Sequence, residues 1–318
     1  MREEAALLGH KDSLVGIVAQ PVARHSGATE TGVVLLNAGI LHRVGPGRIY
    51  VKIARGLALL GFTSLRFDFS GIGDSKARQD NLPFDKSSVD ETQRAMAFLQ
   101  SKCGTSSFIL LGGCSGARVS FATAACDPRV AACILINFQV TPDDEREANE
   151  ASATRKDEHY YLKFAVRNSQ SWLRLFTGQA HYRKLSSALA SALRHRIAQR
   201  TAGAEPPQWA SFRSELRRIV DRGVKLIFVC SEGDAALDEL REAGGRELKE
   251  FRAQNKAEIV VVPRSDHTFS SLADQENLIA IVQQKICEIA RLSPSPDTLP
   301  KAAEPPLESP ATGAAHVQ

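Results

Sequence analysis

Short apolar runs alternate with longer amphipathic stretches along most of this chain. The apolar runs are rich in Val, Ile and Leu, and they predict buried strands over 33–37, 63–69, 107–112, 131–138, 224–231 and 257–263. The stretches between them have helical periodicity and predict helices over 47–61, 87–102, 115–126, 235–253 and 271–291. Apolar strands that alternate with helices indicate the α/β fold class, with a mostly parallel, doubly wound sheet covered on both faces.

Two segments interrupt this alternation. Residues 141–222 hold helix-like stretches and both tryptophans without a convincing strand, which predicts a helical cap inserted over the ligand crevice. Residues 293–318 hold six of the 14 prolines and can bury little apolar surface, so a disordered Pro-rich tail is expected there. The rest of the chain divides into an N-terminal segment, 1–13, and a core built from 14–140 and 223–292.

The composition excludes several classes of protein. The 318 residues are 43% hydrophobic, enough for a sizeable core, but no apolar stretch reaches about 20 residues, so no stable membrane insertion is expected. The first residues, MREEAALLGHKDS, lack the apolar region of a secretory signal. The six cysteines show no CxxC spacing, and apart from Cys114 they are expected to be buried free thiols of a cytoplasmic protein.

The positive charge is concentrated in one part of the sequence. The net charge is only +4, yet residues 151–222 carry 14 Lys and Arg against 5 Asp and Glu. A basic helical surface can meet nucleic acid, anionic lipid or an acidic substrate, or can simply be solvated. Because no nucleic-acid motif accompanies it, no nucleic-acid partner is expected, and an anionic substrate is favoured.

One glycine-framed turn carries two candidate nucleophiles. The strand at 107–112 runs into LLGGCSGAR, where Cys114 and Ser115 each sit at the centre of a G-x-C-x-G or G-x-S-x-A pattern, and a helix follows. A strand, a tight turn and a helix form the context of a nucleophile elbow, and the helix N-terminus stabilises negative charge. The glycines at 112 and 116 and the direct entry of the strand favour Cys114, with Ser115 as the alternative.

An activated nucleophile also needs a base and a group that orients the base. His267 follows the strand 257–263, and Asp234 follows the strand 224–231, so both lie at the carboxyl ends of strands where α/β sheets bind ligands. Asp238 and Asp266 are weaker candidates for the acid. A residue adjacent to the histidine usually points elsewhere, so Asp266 is expected to cap a turn.

Acyl chemistry further requires donors for a developing oxyanion. The amide of Ser115, after the nucleophile, and the amide of Ile40, in the loop 37–47, are the predicted pair. Gly39 permits close approach of the backbone to a substrate. His42 and Arg43 lie in the same loop, where they either contact the substrate or form hydrogen bonds within the loop.

Four stretches of the sequence together resemble α/β-hydrolases. They are NAGILHRVGPGRIYVKIARGLALLGFTSLRFDFSGIGDS, LLGGCSGA, SEGD and SDHTFS, and the resemblance spans about residues 14–292. Most similar are the exosortase A system-associated hydrolases and relatives near the serine aminopeptidase group. The resemblance implies a Cys or Ser nucleophile, a carboxylate, a histidine and no cofactor or metal. Members of that group carry a G-L-C-x-G-A elbow, which favours Cys114, although this sequence has Gly113 instead of leucine.

The sequence therefore predicts a hydrolase or acyltransferase that acts on an ester or thioester through a covalent acyl-enzyme. The expected partner is a small-molecule or carrier-bound acyl substrate of anionic character. A second hypothesis is a non-catalytic protein of the same fold that binds a ligand or partner, since a fold alone does not fix a function.

Overall fold

The computed structural model describes residues 1–9, 11, 13–22, 30–141 and 206–290, and it shows a single eight-stranded sheet. The strands follow the order β1-β2-β4-β3-β5-β6-β7-β8 across the sheet. β1 and β2 pair antiparallel, β2 pairs antiparallel with β4, and every later pairing is parallel. The bounds are β1 Arg2–Leu8, β2 Leu14–Gln20, β3 Thr31–Leu36, β4 Thr63–Phe67, β5 Ser107–Gly113, β6 Val130–Ile136, β7 Lys225–Ser231 and β8 Ala257–Val262.

Helices cover both faces of this sheet. In the described part of the chain they are α1 Ile49–Leu59, entered through a short 3₁₀ turn at Pro46–Arg48, α2 Phe84–Cys103, α3 Ser115–Cys126, α4 Pro207–Asp221, α5 Ala235–Ala253 and α6 Leu272–Ile289. α1 and α6 pack on one face, and α2 to α5 contribute to the apolar cluster on the other. No helix in these ranges is both long enough and apolar enough to cross a lipid bilayer.

The alternation of side chains along the central strands divides the core between the two faces. In β3, Val33 and Leu35 belong to the cluster with α1 and α6, whereas Val34 and Leu36 belong to the cluster with α2 and α3. Because successive side chains of a strand point to opposite faces, a strand buried on both sides must be apolar at every position. This explains why the sequence shows continuous runs of Val, Ile and Leu.

The predicted α/β architecture with a mostly parallel sheet is confirmed. All six predicted strands and all five predicted helices are present, with ends shifted by at most three residues. The N-terminal hairpin formed by β1 and β2 was missed. Residues 2–8, set apart as a separate N-terminal segment, form the edge strand, and their alternating exposed and buried positions follow from having one face in water.

The described part of the predicted cap includes a core helix. α4 lies within 141–222, yet Phe212, Leu216 and Ile219 are buried in the apolar cluster beside α3 and α5, so this helix belongs to the core. Residues 142–205 of the predicted cap and the predicted Pro-rich tail, 293–318, lie outside the described residues.

All six cysteines are free thiols, as expected. Four of the five expected to be buried are so, but Cys126, the last residue of α3, is exposed.

Candidate active site

Three polar side chains follow three different strands at one edge of the sheet. Cys114 comes directly after β5, Asp234 lies three residues beyond β7, and His267 lies in the loop after β8. These strands are connected by parallel pairings, so their carboxyl ends meet at the same edge. The structure brings the three side chains together, because the ring of His267 forms hydrogen bonds with both Asp234 and Cys114.

Cys114 occupies a backbone conformation that side chains rarely adopt. It forms the turn between β5 and α3 with φ 51° and ψ −116°. Its amide donates to the Ile136 carbonyl (2.9 Å), and its own carbonyl accepts from the Ala117 and Arg118 amides (3.1 and 3.3 Å). Such a conformation in a non-glycine residue costs on the order of 1–3 kcal/mol and persists only where the surroundings hold it in place.

Two glycines leave room for this turn. A Cβ atom on Gly112 would lie 2.3 Å from the backbone of Gly116, and a Cβ atom on Gly116 would lie 2.4 Å from the carbonyl oxygen of Asn37. Gly113 is different, since a Cβ there would meet nothing closer than the Tyr50 hydroxyl at 3.5 Å. The positions that must be glycine therefore flank Cys114 at two residues on each side, so the tight turn is centred on Cys114 and not on Ser115.

Ser115 opens α3, and its hydroxyl faces the loop after β3. Its Oγ accepts a hydrogen bond from the Gly39 amide at 2.8 Å. Ser115 has none of the left-handed backbone geometry of its neighbour Cys114. The side chain therefore ties the loop after β3 to the start of the helix.

The ring of His267 is held between an acid and the thiol. Asp234 caps α5 by accepting from the Ala236 amide at 2.9 Å through Oδ1, and its Oδ2 contacts Nδ1 of His267. The hydrogen bond to Asp234 and, next, the hydrogen bond with Cys114 raise the pKa of His267 to about 10. The imidazole therefore carries a positive charge at neutral pH.

The two weaker candidates for the acid, Asp266 and Asp238, interact with other residues. Asp266 accepts hydrogen bonds from the Thr268 amide (2.9 Å) and the Ser270 amide (3.1 Å), so the expectation that it caps a turn is confirmed. Burial opposes ionisation of Asp266, but these partners lower its pKa below the ordinary value. Asp238 lies 3.7 Å from Arg241 on the same helix.

A buried polar network that the sequence did not reveal supports the histidine loop. The Asn137 side-chain amide donates to the His267 carbonyl (2.8 Å) and to the Ser231 hydroxyl (3.0 Å), and Ser231 donates to the Asp266 carbonyl (2.7 Å). Asn137 is fully buried with φ 46°. Asparagine tolerates this conformation better than most residues. An asparagine at the end of a strand is therefore the feature of the sequence that could have indicated this position.

The loop after β3 presents backbone amides near the start of α3. The Leu41 amide donates to the Ala38 carbonyl (3.1 Å), which places Gly39 and Ile40 at the centre of a tight turn. The side chain of Ile40 is 91% exposed, and no described residue accepts a hydrogen bond from its amide. The amide of Ile40 is therefore available to a ligand, and its role as an oxyanion donor stays a prediction.

Arg43 and His42 differ in their surroundings. The Arg43 guanidinium pairs with Asp68, which is fully buried, and with Asp74 at 2.5 Å. The Arg43 amide also donates to Asp68. Of the two roles considered for Arg43, the structure thus favours holding the loop over contacting the substrate. The side chain of His42 is exposed.

Two further side chains near the thiol were not predicted. The Tyr50 hydroxyl on α1 is buried and accepts from the Gly113 amide at 2.9 Å, and burial raises the pKa of Tyr50 above its ordinary value. Gln139, also buried, has its Oε1 3.8 Å from Sγ of Cys114. In the ranges that the structure describes, no group of three or more His, Cys, Asp or Glu is arranged to hold a metal ion.

The sequence matches a model of one known protein family. A family model for the alpha/beta hydrolase fold matches residues 32–221. None of the curated proteins matches the chain in sequence.

Several solved structures share the fold at low sequence identity. An esterase from Pyrococcus furiosus is 13% identical with a TM-score of 0.55, and the alignment covers 91% of each chain. A proline iminopeptidase from Mycobacterium smegmatis is 14% identical with a TM-score of 0.53, over 91% of this chain and 99% of that one. An alpha/beta hydrolase from a Penicillium species is 16% identical with a TM-score of 0.52, over 92% and 99%. At these identities the similarity concerns the fold.

Proposed function

Because the chain belongs to the alpha/beta hydrolase fold family, we propose that it is an enzyme that cleaves an ester or thioester through a covalent acyl-enzyme on Cys114. One observation carries the proposal: Cys114 stands at the strained turn after β5, within hydrogen-bond reach of His267, which Asp234 orients. A fold hosts many functions, so the argument rests on this arrangement of nucleophile, base and acid.

The charge on His267 favours a thiol over a hydroxyl as the nucleophile. A histidine whose pKa is raised to about 10 is protonated at neutral pH. A protonated imidazole cannot accept a proton from a serine hydroxyl, but it stabilises a neighbouring thiolate as an ion pair. The Ser115 hydroxyl, in addition, is occupied with the Gly39 amide. Cys114 is accordingly the nucleophile, and Ser115 contributes its backbone amide.

The first half of the reaction forms the acyl-enzyme. The Cys114 thiolate attacks the acyl carbonyl carbon, and the amides of Ile40 and Ser115 stabilise the oxyanion. When the tetrahedral intermediate collapses, the bond to the leaving oxygen or sulfur breaks, and His267 donates its proton to that atom. Asp234, bonded to Nδ1, keeps the ring oriented so that the other nitrogen faces the nucleophile.

The second half releases the acyl group. Neutral His267 accepts a proton from water, or from the hydroxyl or amine of an acceptor, as that group attacks the thioester. The tetrahedral intermediate expels the Cys114 thiolate, and His267 is again protonated. Water as the attacking group gives hydrolysis, and another acceptor gives acyl transfer, so one site supports both outcomes.

Steady-state kinetics of point variants test this function. The probes are p-nitrophenyl butyrate and the butyryl thioester of N-acetylcysteamine. Cys114→Ala and His267→Ala are expected to lose at least about a thousandfold in kcat/KM, because each removes a group that acts in the transition state. Ser115→Ala is the matched control, since it keeps the backbone amide, and it is expected to stay within about tenfold of the wild type.

Two results would contradict the proposal. Wild-type turnover by Cys114→Ala would exclude the thiol as the nucleophile. Absence of turnover on every probe, together with unchanged ligand binding by His267→Ala, would favour the non-catalytic binding role.

A further inference from the structure

A cavity of about 400 Å³ lies beside Cys114, between α3, the end of β6 and α4. Gln139, whose Oε1 is 3.8 Å from the Cys114 sulfur, is one of its lining residues, so the cavity adjoins a side chain that contacts the proposed nucleophile. Its apolar wall includes three aromatic rings, Phe121, Phe138 and Phe212, which contact one another at centroid distances of 5.2–5.7 Å. An apolar wall of this kind, close to the proposed nucleophile, fits the chain of an acyl group.

Arg118 contributes the cationic group of this lining. It lies four residues after Cys114 on α3, where its amide donates to the Cys114 carbonyl. A backbone hydrogen bond between residues four apart closes one turn of α-helix, which rises about 5.4 Å. The arginine therefore stands one helical turn from the nucleophile.

One nitrogen of the Arg118 guanidinium has no partner among the described residues. That nitrogen, Nη1, is buried. A buried guanidinium nitrogen without an acceptor is unfavourable, because it has lost its hydrogen bonds to water without replacement. Arg43, for comparison, is matched by two carboxylates, Asp68 and Asp74. An arginine that lines the cavity and lacks a partner for one of its nitrogens thus points to an anionic group supplied by a ligand.

The acidic side chain in the same lining does not supply that anion. Glu215 of α4 is 3.9 Å from Arg218 on its own helix, and its side chain is 44% exposed. Glu215 places a negative charge in the lining of the cavity, which opposes an incoming anion and weakens the attraction of Arg118. Removing the Glu215 charge is therefore expected to strengthen anion binding.

Resting on the proposed function, we infer that Arg118 binds a carboxylate at the far end of the acyl chain, so that the substrate class is esters or thioesters of short dicarboxylic acids. The spacing of about one helical turn suits an acyl chain of four or five carbons. A phosphate on a carrier would lie on the leaving-group side of the carbonyl, many bonds from the thiol, and does not fit this distance. A guanidinium is well matched to a carboxylate because it presents two parallel donors.

A matched pair of thioesters tests the inference. The glutaryl thioester of N-acetylcysteamine carries the carboxylate, and in its monomethyl ester that carboxylate is replaced by a neutral methyl ester. We expect the wild type to favour the charged thioester in kcat/KM by about tenfold to a hundredfold, and Arg118→Met to remove most of that preference. Glu215→Gln should increase the preference, and Arg252→Met, an exposed position on α5, should not change it.

A second readout does not need turnover. Millimolar glutarate should slow alkylation of Cys114 by iodoacetamide in the wild type but not in Arg118→Met, as measured by mass spectrometry of the Cys114 peptide. Butyrate, which has a single carboxylate, is the control, and it should protect less than glutarate in the wild type.

The possible failures are distinguishable. Turnover through Cys114 without preference for the charged thioester, or equal glutarate protection in Arg118→Met, overturns this inference and leaves the proposed function intact. A different result would assign Arg118 to a carrier phosphate instead. In that case Arg118→Met would lose the preference for coenzyme A thioesters over N-acetylcysteamine thioesters, and the loss would be the same for charged and neutral acyl groups. Turnover that survives Cys114→Ala overturns the proposed function and this inference with it.

Discussion

Alanine substitutions at Gly113 and Gly116 test whether the turn after β5 is centred on Cys114 or on Ser115. In Gly116→Ala the new Cβ would lie 2.4 Å from the Asn37 carbonyl oxygen and 2.7 Å from the Leu36 carbonyl oxygen. Both atoms are backbone at the end of β3, so relief requires β3 and α3 to move apart by about 1 Å, and overpacking of this kind costs about 1–3 kcal/mol or more. In Gly113→Ala the nearest atom is the Tyr50 hydroxyl at 3.5 Å, an ordinary contact.

The magnitudes make the two variants easy to tell apart. A loss of about 3 kcal/mol lowers Tm by roughly 6–12 °C in a domain of this size, whereas a tolerated surface-like change stays within about 0.5 kcal/mol. Thermal unfolding followed by circular dichroism measures the difference, and ester turnover reports on the elbow itself. Because β3 leads into the loop with Gly39 and Ile40, Gly116→Ala should also lose activity. Equal damage from Gly113→Ala and Gly116→Ala would refute a turn centred on Cys114.

Three further predictions concern the groups around Cys114. The pKa of His267 is raised to about 10 in the folded protein, so the stability that protonated His267 contributes is complete below pH 6.5 and is lost as the pH rises through about 10. The difference in free energy of unfolding between the wild type and His267→Gln, measured by urea titration, should therefore shrink between pH 6.5 and about 10. Asn137→Gly fits the left-handed backbone but removes the amide that holds the His267 carbonyl, so kcat should fall by about tenfold to a hundredfold; retention of full kcat would exclude a positioning role for Asn137. Tyr50→Phe leaves the Gly113 amide without its acceptor and should cost about 1–3 kcal/mol of unfolding free energy, whereas an unchanged denaturation midpoint would contradict that bond.

The sequence predicted the architecture because the central strands are buried on both faces. Strands such as β3 and β5 must be apolar at every position, which is a strong signal even without knowledge of their neighbours. The resemblance to α/β-hydrolases is confirmed at the level of the fold family by the match over residues 32–221. The narrower resemblance to exosortase-associated hydrolases stays a prediction.

The hairpin of β1 and β2 was missed for the opposite reason. β1 is an edge strand with one face in water, and its sequence, REEAALL, alternates too weakly to distinguish it from a helix or a loop. α4 was assigned to a cap because helical periodicity shows that a helix has an apolar face but not which surface that face covers.

The proposed site was predicted in part because each candidate directly follows a strand. The rule that ligands bind at the carboxyl ends of strands was enough to bring Cys114, Asp234 and His267 to one edge. Partners that depend on the folded arrangement could not be found in this way. The pairing of Arg43 with Asp68 joins two loops, and the bond from Asn137 to the His267 carbonyl spans 130 residues.

The location of the acyl group after a single turnover tests the central claim most directly. The protein is mixed with the butyryl thioester, quenched in acid within milliseconds to seconds and digested with trypsin, and the peptide from Cys103 to Arg118 is fragmented in a mass spectrometer. We predict a butyryl mark on Cys114 that neutral hydroxylamine removes, as a thioester requires. A hydroxylamine-resistant mark on Ser115, or a mark that persists at wild-type rate in Cys114→Ala, would contradict the account.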